Sequence, residues 1–321
     1  MLREESADRD APARAAEAAA NCAQRLAAGF AALTFATLCL IVLGALVRAH
    51  DAGLACPDWP LCFGELVPSF DLRVAFEFSH RVAAGSIALC FAWLASRALR
   101  LERAPRGLSR QVWIATALLA VQVLLGALTV WHLLAAWTVT SHLLTGNAFA
   151  VALAWTAATL REGAHAPQPA RAGPRPAGLA RGAIGVAAAL LVLQIALGGL
   201  VSSRYAGMAC PEWPTCNGGL WFPTWRGEVG LHLMHRSNGY ALLLALGAAA
   251  WLARGCGAAG RLTRIAALLC LSQVAVGITN VWLGIPVEVT ALHSALAAAL
   301  ALSVSLALRE TLVSRPAPPG R

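Results

Sequence analysis

The chain has 321 residues, of which 58% are hydrophobic and 13% charged, with a mean hydropathy of +0.64. Soluble globular chains carry about 25% charged residues, so this composition leaves too little polar surface for a water-soluble fold. The net charge of +9 comes from arginine with no lysine, and its clustering between apolar stretches marks a topology signal rather than a nucleic-acid-binding surface.

In chain order, residues 1–27 are Ala-rich with charges of both signs and read as a frayed or interfacial cytoplasmic tail, without the features of a signal peptide. Eight stretches then approach the roughly 20 apolar residues that cross a bilayer: 28–49, 78–100, 111–133, 136–160, 182–203, 230–253, 263–284 and 288–309. Between the fourth and fifth, residues 163–181 are rich in Pro, Ala, Gly and Arg and read as a cytoplasmic linker. The expected organisation is therefore a four-helix unit at 28–162, a second at 182–310, and a cytoplasmic tail at 311–321. With the N-terminus inside, nineteen arginines fall on the inner side and six outside (Arg48, Arg73, Arg81, Arg204, Arg226 and Arg236). The positive-inside rule then places both termini in the cytoplasm.

The two units are copies. Ala-Gly-Leu-Ala-Cys-Pro-Asp-Trp-Pro-Leu-Cys at 52–62 matches Ala-Gly-Met-Ala-Cys-Pro-Glu-Trp-Pro-Thr-Cys at 206–216, an offset of 154. Gln122, Gly126, Trp131 and His142 match Gln273, Gly277, Trp282 and His293 at offset 151. Four spans per copy give both the same orientation, a parallel repeat. A finer period runs within each copy. Odd helices carry Leu40-x3-Gly44, Gln122-x3-Gly126, Gln194-x3-Gly198 and Gln273-x3-Gly277; even helices carry His80-x3-Ala84, His142-x3-Gly146, His235-x3-Gly239 and His293-x3-Ala297. Residues four apart share a helix face, and small residues there also serve plain helix packing.

An ionisable residue within a span is costly and marks function. Here His80, His142, His235 and His293 stand near the outer start of each even helix, in matching positions. Two imidazoles from two helices of a bundle suit axial ligation of a flat iron macrocycle, and they are too few for a structural zinc site. Arg81 and Arg236, adjacent to His80 and His235, either pair a propionate or reach to interfacial water. His50 and His132 lie near outer helix ends, and His165 lies in the linker.

Of nine cysteines, Cys22, Cys39, Cys90, Cys256 and Cys270 read as structural. Cys56 with Cys62, and Cys210 with Cys216, form a C-x5-C pair in each large outer loop. A structural disulfide, a redox-active or haem-handling pair and a zinc pair are the open readings, the outer compartment favouring disulfides.

The duplicated bundles, the Cys-x5-Cys loops, Glu77-Phe-Ser-His80-Arg81 and His235-Arg236 together resemble the haem A synthase family, over about residues 27–310. The resemblance implies oxidation of the C8 methyl of haem O to a formyl group, by successive hydroxylations and loss of water, giving haem A for cytochrome oxidases. It implies that His80 and His142 hold the substrate haem O, that His235 and His293 hold a resident haem b, and that Glu77 is catalytic. It associates Cys56–Cys62 with haem handling or partner contact, and implies a bacterial inner-membrane location among lipid. Haem O synthase and an electron-transfer partner are expected neighbours. Glu77, three residues before His80, has His232 at the equivalent place, so the copies differ in chemistry. A non-catalytic di-haem cytochrome b would need the same histidines but not Glu77. A thiol–disulfide oxidoreductase built on the loop cysteines would show no haem, and a transporter would leave the histidine pattern unexplained.

Overall fold

The computed structural model describes residues 2–69, 71–164 and 178–313; the linker residues 165–177, with His165, lie outside them. Among the described residues the regular structure is helical, apart from two isolated bridges, Cys62–Glu65 and Asn217–Leu220. The described residues form eight α-helices: α1 Leu2–Ala49, α2 Leu72–Leu99, α3 Leu108–Trp131, α4 Ala136–Ala164, α5 Gly178–Ser203, α6 Gly227–Leu252, α7 Gly257–Trp282 and α8 Val287–Leu312.

Two differences from expectation have physical causes. The segment read as a frayed or interfacial tail is helical rather than frayed and continuous with the first span in α1, which runs 48 residues, about 72 Å at 1.5 Å per residue. The Ala-rich composition read as a tail is also the composition with the highest helix propensity. Second, seven helices, not eight, are long and apolar enough to cross a membrane by length and composition. The exception is α6, whose first turns carry His232, His235, Arg236 and Asn238. The polar site residues themselves lower its hydropathy.

The helices of the first copy pack as a ring, α1 on α2, α2 on α3, α3 on α4 and α4 on α1, and α5 to α8 repeat the pattern. Within each ring the even helices, α2 with α4 and α6 with α8, stand on the diagonal. The tightest cores fill the inner halves. Phe91 meets Phe30 and Phe149 edge-on, with centroids at 6.4 and 5.4 Å, among Leu108, Val112, Leu153 and Leu160. In the second copy Leu191, Leu242, Leu246, Leu300 and Val304 do the same. Apolar packing thus occupies the end away from the histidines.

The copies meet through α4 against α5 and α8, and α1 against α8. At the outer end Arg48 lies 4.0 Å over the Tyr205 ring and donates to Ser202 O at 3.0 Å. At the inner end buried Arg309 forks onto Glu162, with both bonds at 2.8 Å, and donates to Thr159.

Two turns repeat as well. Leu133 and Leu134 (φ 50° and 60°) join α3 to α4; Gly284 and Ile285 (φ 72° and 61°) join α7 to α8. Both turns are closed by a reach-back bond, Leu134 N–H to Thr129 O and Ile285 N–H to Asn280 O.

Candidate functional site

Each histidine is seated against the glycine of the preceding helix. A methyl group placed on Gly44, Gly126, Gly198 or Gly277 would come 3.1, 3.3, 3.1 or 3.2 Å from Cε1 of His80, His142, His235 or His293. The reverse contact exists too: a methyl on Gly146 would meet Gln122 Nε2 at 3.0 Å, and one on Gly239 would meet Gln194 Nε2 at 3.3 Å. The Gln-x3-Gly and His-x3-Gly faces therefore interlock head to tail, because neighbouring helices run antiparallel. Packing was only half of what the odd-helix glycines were doing; they make room for imidazoles.

The glutamines complete the seats. Gln122 Nε2 lies 3.3 Å from His142 Nε2, and Gln194 Nε2 lies 3.2 Å from His235 Nδ1. Asn238 donates to Gln194 Oε1 at 2.7 Å, and Gln273 donates to the His293 carbonyl at 2.9 Å. The first hairpin has Leu40 in place of a glutamine. These glutamines were visible in sequence as the residue four before each glycine, but their partners were not.

His80 and His142 stand on the diagonal helices of the first ring, and His235 and His293 on those of the second. The Nδ1 atoms of His80, His142 and His293 are buried without a hydrogen-bond partner among the described residues. Buried polar atoms are nearly always satisfied, so unpartnered ring nitrogens on three of the four histidines fit a group that the chain does not itself supply, such as a ligated iron. Among the described residues no three His, Cys, Asp and Glu side chains converge as a bare metal ion would require. The donor set therefore fits an iron that arrives with its own four nitrogens.

Above each pair sits a disulfide loop. Cys56–Cys62 and Cys210–Cys216 are bonded, with Cα atoms 4.7 and 4.3 Å apart and side chains buried. Arg81 donates through Nη1 to the carbonyls of Asp58 and Leu61, and through Nη2 to Cys56 O and Glu77 Oε1, the last at 2.5 Å. Arg236 repeats this with Glu212, Thr215 and Cys210 carbonyls, and its Nε lies 3.1 Å from His232 Nε2. A guanidinium has five N–H groups, and on each arginine four of them are taken by these bonds.

Glu77 is 5% exposed, and its second oxygen accepts the Cys56 N–H at 2.8 Å. In the other copy His232 Nδ1 takes the Cys210 N–H at 3.3 Å. The acid in each loop folds inward as well. Asp58 accepts from Phe63 and Gly64 N–H, and Glu212 from Gly218 and Gly219 N–H and the Thr215 hydroxyl. The Gly64 N–H holds Asp58 below its usual value of 3.8, and the Gly219 N–H, then Thr215, hold Glu212 below 4.5. Trp59 packs edge-on to Trp131 and Trp213 to Trp282, pinning each loop to the end of its third helix.

Other histidines stay outside this arrangement. His50 stacks on Phe76 at 4.2 Å, and His132 meets Trp137 edge-on. Of the free cysteines, Cys270 is buried in the second core, whereas Cys39 and Cys90 are exposed.

A family model described as a cytochrome oxidase assembly protein, COX15-CtaA, matches residues 28–75 and 69–305. A heme A synthase of Shewanella oneidensis is 29% identical over 312 residues, spanning 84% of this chain and 91% of the relative. One from Halalkalibacterium halodurans is 29% identical over 275 residues, spanning 83% and 90%. One from Symbiobacterium thermophilum is 40% identical over a shorter 95 residues, 29% of this chain and 30% of the relative. With the family model matching from residue 28 to residue 305, the chain belongs to the COX15-CtaA family of cytochrome oxidase assembly proteins.

Proposed function

We propose that the protein is a membrane-bound haem A synthase, an oxidoreductase that converts the C8 methyl of haem O into the formyl group of haem A. Its full-length relatives bear the name heme A synthase. The observation that carries the assignment of sites is the difference between otherwise matching copies: Glu77 in the first, His232 in the second. On this reading eight spans form two tandem four-helix bundles, residues 28–162 and 182–310, with both termini in the cytoplasm. The arginine distribution supports that orientation.

His80 and His142 hold the substrate haem O, and His235 and His293 hold a resident haem b. Bound haem b supplies a one-electron redox centre; the protein supplies position and proton handling. Gly44 and Gly126 fix the imidazoles of the first site from behind. Leu40, where other hairpins have glutamine, leaves His80 the less restrained of the ligands. Methyl-to-formyl oxidation removes four electrons and adds one oxygen atom, both exchanged with co-reactants from outside the chain, and it moves protons inside a largely apolar bundle. Glu77, one turn from His80 and kept near Arg81, is the carboxylate placed to take them up. Arg81 and Arg236 each keep one N–H toward a propionate while fastening the loop above it.

Co-expression with a source of haem O, followed by chromatography of extracted haems, tests the activity. Wild type is expected to accumulate haem A. Glu77→Ala and Glu77→Gln are both expected to stop it while b-type haem is retained. Glutamine keeps an acceptor for the Cys56 N–H but cannot take a proton, so haem A at the wild-type level from Glu77→Gln would overturn the catalytic role.

A further inference from the structure

At the end of the first copy opposite the histidines, α1 and α2 part to leave a cleft of about 650 Å³. Gly29 marks its floor, where a methyl group would run into the Leu94 side chain. From there the walls are Leu26, Cys22 and Ala18 on α1 and Leu94 and Trp93 on α2. Arg25 and Arg97 stand at its rim with Asn21. Both arginines are exposed, and among the described residues neither is paired with a carboxylate. The cleft is therefore apolar along its depth and cationic at its mouth.

The second copy has the corresponding cleft between α5 and α6, about 480 Å³, lined by Gly178, Leu179, Gly182, Ala183, Val186 and Ala245. The offset of 154 places Leu179 where the first copy has Arg25, since 25 + 154 = 179. The α6 offset, 235 − 80 = 155, places Leu252 where it has Arg97. The fold makes the cleft twice, and among the described residues only the lining of the first carries arginines. Helix packing explains the space and not the two unpaired guanidiniums.

We propose that this cleft binds one anionic phospholipid, its phosphate between Arg25 and Arg97 and its acyl chain along Leu26, Leu94 and Trp93. The volume is that of a small-molecule site. Basic pockets between helix ends at the cytoplasmic face are where anionic head groups bind. Trp93, 63% exposed, is the amphipathic ring expected at head-group depth. The site lies on the arginine-rich side and does not depend on the haem assignments.

The test uses the full chain in nanodiscs of equal phosphatidylglycerol and phosphatidylcholine, with retained lipid counted by native mass spectrometry. Wild type is expected to retain phosphatidylglycerol over phosphatidylcholine, and R25Q/R97Q to lose about tenfold of that preference. R261Q/R264Q, on exposed positions of α7, is the control expected to keep it. Ala18→Trp fills the cleft with both arginines present and is expected to lower retention of both lipids; it carries the test if the double variant fails to fold. Equal retention of the two lipids by wild type overturns the proposal, as does unchanged preference in R25Q/R97Q or unchanged retention in Ala18→Trp. Full displacement of phosphatidylglycerol by 10 mM (about physiological) inorganic phosphate also overturns it, because the cleft would then be a phosphate site.

Discussion

The Glu77 carboxylate accepts the Cys56 N–H at 2.8 Å, so the helical turn before His80 holds the outer disulfide loop directly. Arg81 closes the connection by donating both to Glu77 and to the loop carbonyls on either side.

That connection is a partly buried ion pair, with side chains 14% and 6% exposed. Removing one partner from such a pair costs about 3 kcal/mol, because the other charge is left uncompensated. Glu77→Ala is therefore expected to lower the unfolding midpoint and speed reduction of Cys56–Cys62 by a phosphine. Glu77→Gln should do less of each. Thermal unfolding and maleimide labelling after timed reduction read the two effects separately.

The glycine seats predict a different signature. Gly198→Leu drives a side chain into His235, where even a methyl would stand 3.1 Å from Cε1. The expected result is loss of b-type haem, measured as the pyridine haemochrome, with the helical content unchanged. Gly44→Leu should leave that signal in place and abolish haem A formation, since it acts on His80. Equal haem loss from the two variants would contradict the division of sites.

Leu133 is 76% exposed and held at φ 50°, where the second copy has Gly284. A left-handed conformation costs a side-chain-bearing residue about 1 kcal/mol. Leu133→Gly loses little packing and is expected to raise stability by a few tenths to about 1 kcal/mol, after the entropy that glycine adds to the unfolded chain. A lowered midpoint would show that Leu133 makes a contact beyond its turn.

Asp58 and Glu212 make the outer loops sensitive to acid. Their folded values lie below 3.8 and 4.5, so each carboxylate stabilises its loop fully above those values. The contribution is lost as pH falls through the folded values and the acids protonate. Asp58→Asn is expected to loosen the first loop at pH 7, and its difference from wild type to vanish at low pH. Both acids are exposed, so the effect belongs in loop hydrogen exchange at Phe63 and Gly64 more than in global stability.

Much of this was determined along the chain. Apolar length, arginine placement, the 154-residue repeat and a histidine with a small neighbour on every even helix follow from composition and local periodicity, because a helix converts spacing into a face. The C-x5-C spacing also left disulfides among its readings, and a short loop leaves two cysteines little room to part. Tertiary structure decided what each of those faces meets. Only packing of antiparallel neighbours puts Gly198 behind His235 and Gln194 beside it. Only the folded loop turns Arg81 and Arg236 toward carbonyls, since backbone acceptors leave no mark in residue identity. The same reason hid the partner of Glu77: a carboxylate in a helix shows its position, but the Cys56 N–H reaches it only once the loop has closed over it.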